Sequence, residues 1–189
     1  MKKILLPTLS ILLSALVICA IPTEAEAMIY EDTIRLHILA NSDSESDQSL
    51  KLALRDAILD KYSKELSQSE NKAEAEESLR ALLPELEAFS NEFLKNSGYT
   101  ASAELKEEWY TTRYYEDFTL PCGYYCSLII TIGEGEGQNW WCVMYPPMCL
   151  DAAKGAPVYT ESEMGLIVGK YNLKFKVLEL ICECIDKNR

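Results

Sequence analysis

The apolar positions of this chain fall into two rhythms, one of two residues and one of three to four. Residues 33–40 alternate, with Ile34, Leu36 and Ile38 on one side and Arg35, His37 and Leu39 on the other, which predicts a half-buried strand. Asn41-Ser42-Asp43 then turns the chain, because such side chains bond their own backbone. Ser44 and Asp47 have the spacing of a helix cap. Leu50, Ala53, Leu54, Ala57, Ile58 and Tyr62 mark one face of the helix that follows, with Lys51, Arg55 and Asp56 pointing elsewhere. After a polar loop over residues 67–72, Leu79, Leu82, Leu83, Leu86, Phe89 and Phe93 trace a second helix. Pro84 should kink or restart it, and Gly98 should end it.

From Tyr99 onward the two-residue rhythm returns. It is weak over residues 100–106 and strong over 124–132, where Cys126, Leu128, Ile130 and Ile132 share a face. Residues 139–145 alternate again, Trp140, Cys142 and Met144 against Trp141, Val143 and Tyr145. Between these two strands Gly133–Gln138 reads as a hairpin loop whose glycines permit positive φ. Residues 166–186 are apolar at helical spacing and predict a closing helix, weakened at its start by Gly165 and Gly169. The order of elements fits an α+β fold: one mixed, mostly antiparallel sheet of about four strands, covered by two or three helices. No internal repeat or linker interrupts it, so residues 28–189 are expected to form a single domain.

Residues 1–27 stand apart. Lys2 and Lys3 precede an apolar run to Ile21, and Ala25-Glu26-Ala27 supplies the small-x-small pattern of a signal-peptide cleavage site. Cleavage after Ala27 and secretion are expected. Left uncleaved, an apolar run of about 18 residues is just long enough to anchor in a membrane. Leu16-Val17-Ile18-Cys19 resembles a lipoprotein site, but bulky Ile18 stands where a small residue belongs.

Composition narrows the partners. At 189 residues, 48% hydrophobic and 25% charged, the chain suits a globular domain. Its net charge of -12 argues against nucleic acid or an anionic lipid surface. Contact with a membrane is expected only through a partner or an uncleaved signal segment. Export also changes the reading of cysteine. Cys19 leaves with the signal, and Cys122, Cys126, Cys142, Cys149, Cys182 and Cys184 remain, an even set in an oxidising compartment. Six cysteines allow 15 pairings. Two cysteines four apart in one strand lie about 13 Å from each other, too far to bridge. No Cys-x-x-Cys pair occurs and the single histidine is remote, so neither a metal site nor a cofactor is expected.

Three kinds of chemistry have candidate residues here. The Gly133–Gly137 run lacks the spacing and the lysine of a phosphate loop, and its two glutamates repel phosphate. His37 as base for a Cys142 nucleophile would make a cysteine hydrolase, but disulfide formation removes the thiol. Glu107, Glu108, Glu134 and Glu136 offer carboxylates for glycoside hydrolysis, yet nothing in the sequence gathers two of them in one pocket. Trp140 and Trp141 face opposite sides of their strand, so one is expected in the core and the other displayed as an interface anchor.

Two long motifs carry a family likeness. Arg35-Leu36-His37-Ile38-Leu39-Ala40-Asn41-Ser42-Asp43-Ser44, Asp47-Gln48-Ser49-Leu50-Lys51-Leu52 and Arg55-Asp56-Ala57 form the first. Leu120-Pro121-Cys122-Gly123-Tyr124-Tyr125 and the run from Gly133 to Cys149 form the second. Together they resemble the stage II sporulation protein R family over most of residues 33–150. That resemblance implies an exported, non-enzymatic signalling protein, made in the forespore and released between the forespore and mother-cell membranes. There it would switch on a membrane-embedded aspartic protease of the mother cell, which removes the pro-sequence of a sigma factor. It further implies Arg35, His37, Asn41, Asp43, Arg55, Asp56, Asn139, Trp140 and Trp141 as partner contacts, and a Cys142–Cys149 bridge. Cys122, Cys126, Cys182 and Cys184 depart from the family pattern, and the simplest expectation joins the first two to the last two. The other readings are an extracytoplasmic cell-wall hydrolase and a structural component of the spore envelope.

Overall fold

A computed structural model describes residues 29–66, 69–114 and 119–146, with scattered helical residues between 7 and 17. The chain falls into two compact units, one of residues 31–108 and 125–158, the other of residues 1–30, 109–124 and 159–189. The expected closing helix, Cys149, Cys182 and Cys184 lie outside the described residues.

The larger unit is built on β1 (Ile34–Leu39), α1 (Glu45–Leu66), α2 (Lys72–Leu94), most of β2 (Ala101–Tyr110), most of β5 (Gly123–Ile132) and β6 (Asn139–Tyr145). Its four-stranded sheet has the order β2-β5-β1-β6. β1 runs parallel to β5, with Leu36 beside Leu128, and antiparallel to β6, with Ile38 beside Trp140. The sheet is therefore mixed, with a parallel pair at its centre. The connection from β1 to β5 is long and carries both helices, as a parallel pairing requires.

One face of the sheet meets the helices. Ile34, Leu36, Ile38, Leu128, Ile130, Cys142 and Met144 pack with Leu54, Ile58 and Tyr62 of α1 and with Leu79, Leu86 and Leu94 of α2. Contrary to the half-buried strand that alternation predicts, β1 is buried on both faces: Arg35 is 0% and His37 3% exposed. It is a central strand, and its polar residues are accommodated by partners rather than by water.

Ser44 caps α1 as expected, its Oγ accepting from the Asp47 N–H at 3.2 Å. The buried stripe differs by one position: Lys51, 4% exposed, lines up with Leu54, Ile58 and Tyr62, while Ala53 is exposed. The α2 cap is Asn71, which accepts from the Glu74 N–H at 3.0 Å. Pro84 does not break α2, which runs through it to Leu94. Pro84 is exposed, as is Arg80, whose carbonyl it leaves without a helical donor. Gly98, at φ 81°, completes the turn into β2.

β2 is an edge strand, and α2 covers its beginning. Asn91 accepts from the Ala101 N–H and donates to its carbonyl, both at 2.9 Å, and Glu87 accepts from the Ala103 N–H at 3.1 Å.

In the smaller unit β3 (Arg113–Tyr114) and β4 (Thr119–Leu120) form an antiparallel pair that the sequence pattern did not show. Tyr30 donates to the Cys122 carbonyl at 3.0 Å, its ring filling the space beside Gly123. Trp109 and Tyr124 meet edge to face at 5.0 Å and are both exposed.

Candidate functional site

The glycine loop is not a hairpin. β5 and β6 are not neighbours, because β1 lies between them, so Gly133–Gln138 must pass over the C-terminal end of β1. There it is stitched to the first motif. The Gly137 N–H donates to the Ala40 carbonyl at 2.9 Å, the Glu136 N–H to the Asn41 carbonyl at 3.2 Å, and the Glu134 N–H to Asn41 Oδ1 at 3.1 Å. The Gln138 N–H donates to Asp43 Oδ1 at 2.6 Å. Lys51 Nζ donates to the Gln138 carbonyl at 2.7 Å and to Gln48 Oε1 at 2.6 Å.

Such close passage explains the glycines. Gly133 has φ 58°, a conformation costly for side chains. Gly137 needs no unusual φ, but a Cβ there would strike the Ser42 carbonyl and lie 2.9 Å from Ala40 Cβ.

The first motif is braced from within. Asn41 Nδ2 and Ser42 Oγ both donate to Asp47 Oδ2, at 3.0 and 2.6 Å. The Ser42 bond, then that from Asn41, holds the Asp47 carboxyl below the usual carboxylate range. Gln48 Nε2 donates to the Ser42 carbonyl at 3.0 Å. Of the expected capping pair, Asp47 thus contributes its N–H to Ser44 and its carboxylate to the turn before it.

β6 leaves the loop with one tryptophan on each face. Trp140 lies on the helix side, packed against the core, with the Arg55 guanidinium 4.9 Å from its ring. Asp56 accepts from both Arg55 Nε and a terminal nitrogen at 2.7 Å. Trp141 lies on the other side, stacked on His37 with ring centroids 4.1 Å apart. Arg35 sits 5.8 Å from the Trp141 ring and 5.2 Å from Tyr125. His37 Nδ1 is 3.2 Å from Glu108 Oε2. Burial pulls the His37 pKa below its ordinary value, against the pull of Glu108. Both tryptophans are half-buried, so the expected division into one core and one displayed ring is not what the strand shows.

The nine expected contact residues therefore form two groups. Asn41, Asp43, Arg55, Asp56, Asn139 and Trp140 lie along the loop, α1 and the start of β6, each at least partly exposed. Arg35, His37 and Trp141 form the stack on the second face, where Arg35 and His37 are buried. Lys51, Gln48, Glu108 and Tyr125 complete these groups and were missed. Lys51 falls three residues before Leu54 and seven before Ile58, a helical spacing that marks it for the buried stripe.

His37 and Cys142 do not make a dyad. Cys142 belongs to the helix-side core and His37 to the opposite face. Cys126 is a buried free thiol, so the expected bridge from it to the C-terminal cysteines is not present. Burial pushes its pKa up to about 11.

Residues 30–154 match the model of the family described as Stage II sporulation protein R (spore_II_R). Stage II sporulation protein R of Bacillus subtilis (strain 168) is 36% identical over 139 residues, which cover 72% of this chain and 62% of that relative. The chain thus matches less than two thirds of the relative's length. No solved structure matches it. The matched span contains the whole joint between the two motifs, and the chain belongs to the stage II sporulation protein R family, with a role in sporulation.

Proposed function

We propose that this chain is a secreted signalling protein, not an enzyme, that acts between the forespore and mother-cell membranes. Its partner is the extracytoplasmic part of a membrane-embedded aspartic protease, and engagement leads to processing of a mother-cell pro-sigma factor. Family membership over residues 30–154 carries this reading. The basic, apolar and small-x-small order of residues 1–27 supports export. The contact surface is formed by Asp43, Arg55, Asp56 and Trp140, with Asn41 and Asn139 beside them. An aromatic ring under an arginine, flanked by carboxylates, is the composition of an interface anchor. Arg35, His37 and Trp141 support this surface from behind. A Cys142–Cys149 bridge would brace the exit of β6, and mass mapping of unreduced digests tests it.

The deciding experiment co-produces this chain, the protease and the pro-sigma factor. Cleavage is expected only when all three are present and is expected to fall with Trp140→Ala or Arg55→Ala. Equal cleavage without this chain would refute the proposal. Turnover of peptidoglycan by the purified chain would favour a hydrolase instead.

A further inference from the structure

The geometry points to Lys51 as a positioning residue that, together with Asp43, sets the backbone from which Trp140 and Trp141 project. Gln138 is the last residue before β6, and among the described residues no strand pairs with it. Its two backbone groups are held by side chains instead. Asp43 accepts from its N–H at 2.6 Å, and Lys51 donates to its carbonyl at 2.7 Å. One acceptor and one donor are what a neighbouring strand would supply, so the entrance of α1 stands in for a strand at this single residue. Both bonds involve ionised groups, the stronger class of hydrogen bond.

The arrangement is built for the purpose rather than incidental. A lysine that is 4% exposed carries a desolvation cost, and burial does lower the Lys51 pKa, with Asp43 opposing. Gln48 Oε1, at 2.6 Å, takes a second ammonium proton and fixes the direction of the first. Arg55, the other cation near Lys51, faces away onto Trp140 and Asp56. The α1 entrance thus fixes Gln138 through Lys51 and meets Trp140 through Arg55. The direction of β6 is consequently set by the first motif. The importance of this for signalling rests on the function proposed above, but the positioning itself does not.

The test uses the full chain with Trp109→Phe, so that Trp140 and Trp141 are its only tryptophans. Lys51→Met and Asp43→Ala are each expected to weaken the near-ultraviolet circular dichroism of the tryptophans and to red-shift their emission, with the far-ultraviolet spectrum unchanged. Asp43→Asn keeps an oxygen for the Gln138 N–H and is expected to hold the parent signals. A lower melting temperature with parent tryptophan signals would make Lys51 merely structural and overturn the assignment. If Lys51→Met does not fold, Asp43→Ala decides alone, because Asp43 is exposed and outside the core. Processing in the co-production assay reads separately. Loss of processing in the parent protein would overturn the signalling role and leave the positioning result standing.

Discussion

His37 and Trp141 lie ring on ring across the β1–β6 pair, centroids 4.1 Å apart and planes 16° from parallel. They are directly opposite in register, so the stack is a cross-strand pair on a face that also buries Arg35 and Tyr125. Trp141→Ala removes this stack and the ring beside Arg35. We expect a loss of about 2–4 kcal/mol in urea unfolding, somewhat under the cost of deleting a fully buried aromatic ring because Trp141 is half-buried. A loss within error of zero would show that the second face does not depend on the stack.

Protonation of His37 should work against the fold. Burial lowers its folded pKa below the ordinary value of 6.5, so the unfolded chain binds protons more readily. The contribution to stability is complete above that value and is lost as pH falls through the folded one. Unfolding free energy should therefore begin to drop as pH falls below about 6.5. The slope, rather than the level, should be shallower in His37→Gln. Equal slopes would assign the acid sensitivity elsewhere.

Asp47 acts in the same direction at lower pH. Its carboxyl is held below the usual range by Ser42 and Asn41, so its stabilisation is present at neutral pH and fades as acid protonates it. Asp47→Asn should remove that acid-range loss while keeping the cap on Ser44, whose partner is a backbone N–H. An unchanged acid transition in the variant would count against the brace.

Two glycine substitutions should differ in size. Gly137→Ala drives a Cβ into the Ser42 carbonyl, a backbone group that cannot step aside without moving the turn. Gly98→Ala meets nothing within 4 Å and bears only the strain of φ 81°. We expect about 1 kcal/mol for Gly98→Ala and at least twice that for Gly137→Ala, measured by chemical denaturation. Equal costs would mean that the loop relaxes freely away from Ser42.

The Cys126 thiol, buried and with its pKa pushed up to about 11, should resist alkylation at pH 8 in the folded protein and react on unfolding. Mass spectrometry of peptides after timed alkylation reads this directly. Rapid labelling without denaturant would show that this end of β5 opens locally.

Much of this was legible. The period-two runs gave the strands β1, β5 and β6 nearly to the residue, and apolar spacing gave α1 and α2. Such patterns depend on local geometry, which sequence records. The order of strands does not: a glycine-rich link of six residues suits a hairpin and suits equally well a passage over one intervening strand. Only the pairing of β1 with both β5 and β6 decides between them. Arg35 and His37 looked like outward positions because polarity normally marks a wet face, and here Trp141, Tyr125 and Glu108 take the place of water. Lys51 was set outside the apolar stripe by its charge, although its spacing belonged to it. Of the candidate surface, the residues were readable from motif and their division between two faces was not.

The placement of β1 bears on how the chain comes to fold. Both strands that flank it are supplied much later, β5 about 90 residues on and β6 about 100 or more, so the first motif emerges with no partner for either edge. Contacts of such sequence separation form slowly, because a long loop must close before any of them is rewarded. The helices between them are local and can form early. During folding the chain should pass through a state in which α1 and α2 are present and β1 is still an unpaired strand. In that interval its Ile34, Leu36 and Ile38 are open to wrong association, and arrival of the glycine loop ends the exposure.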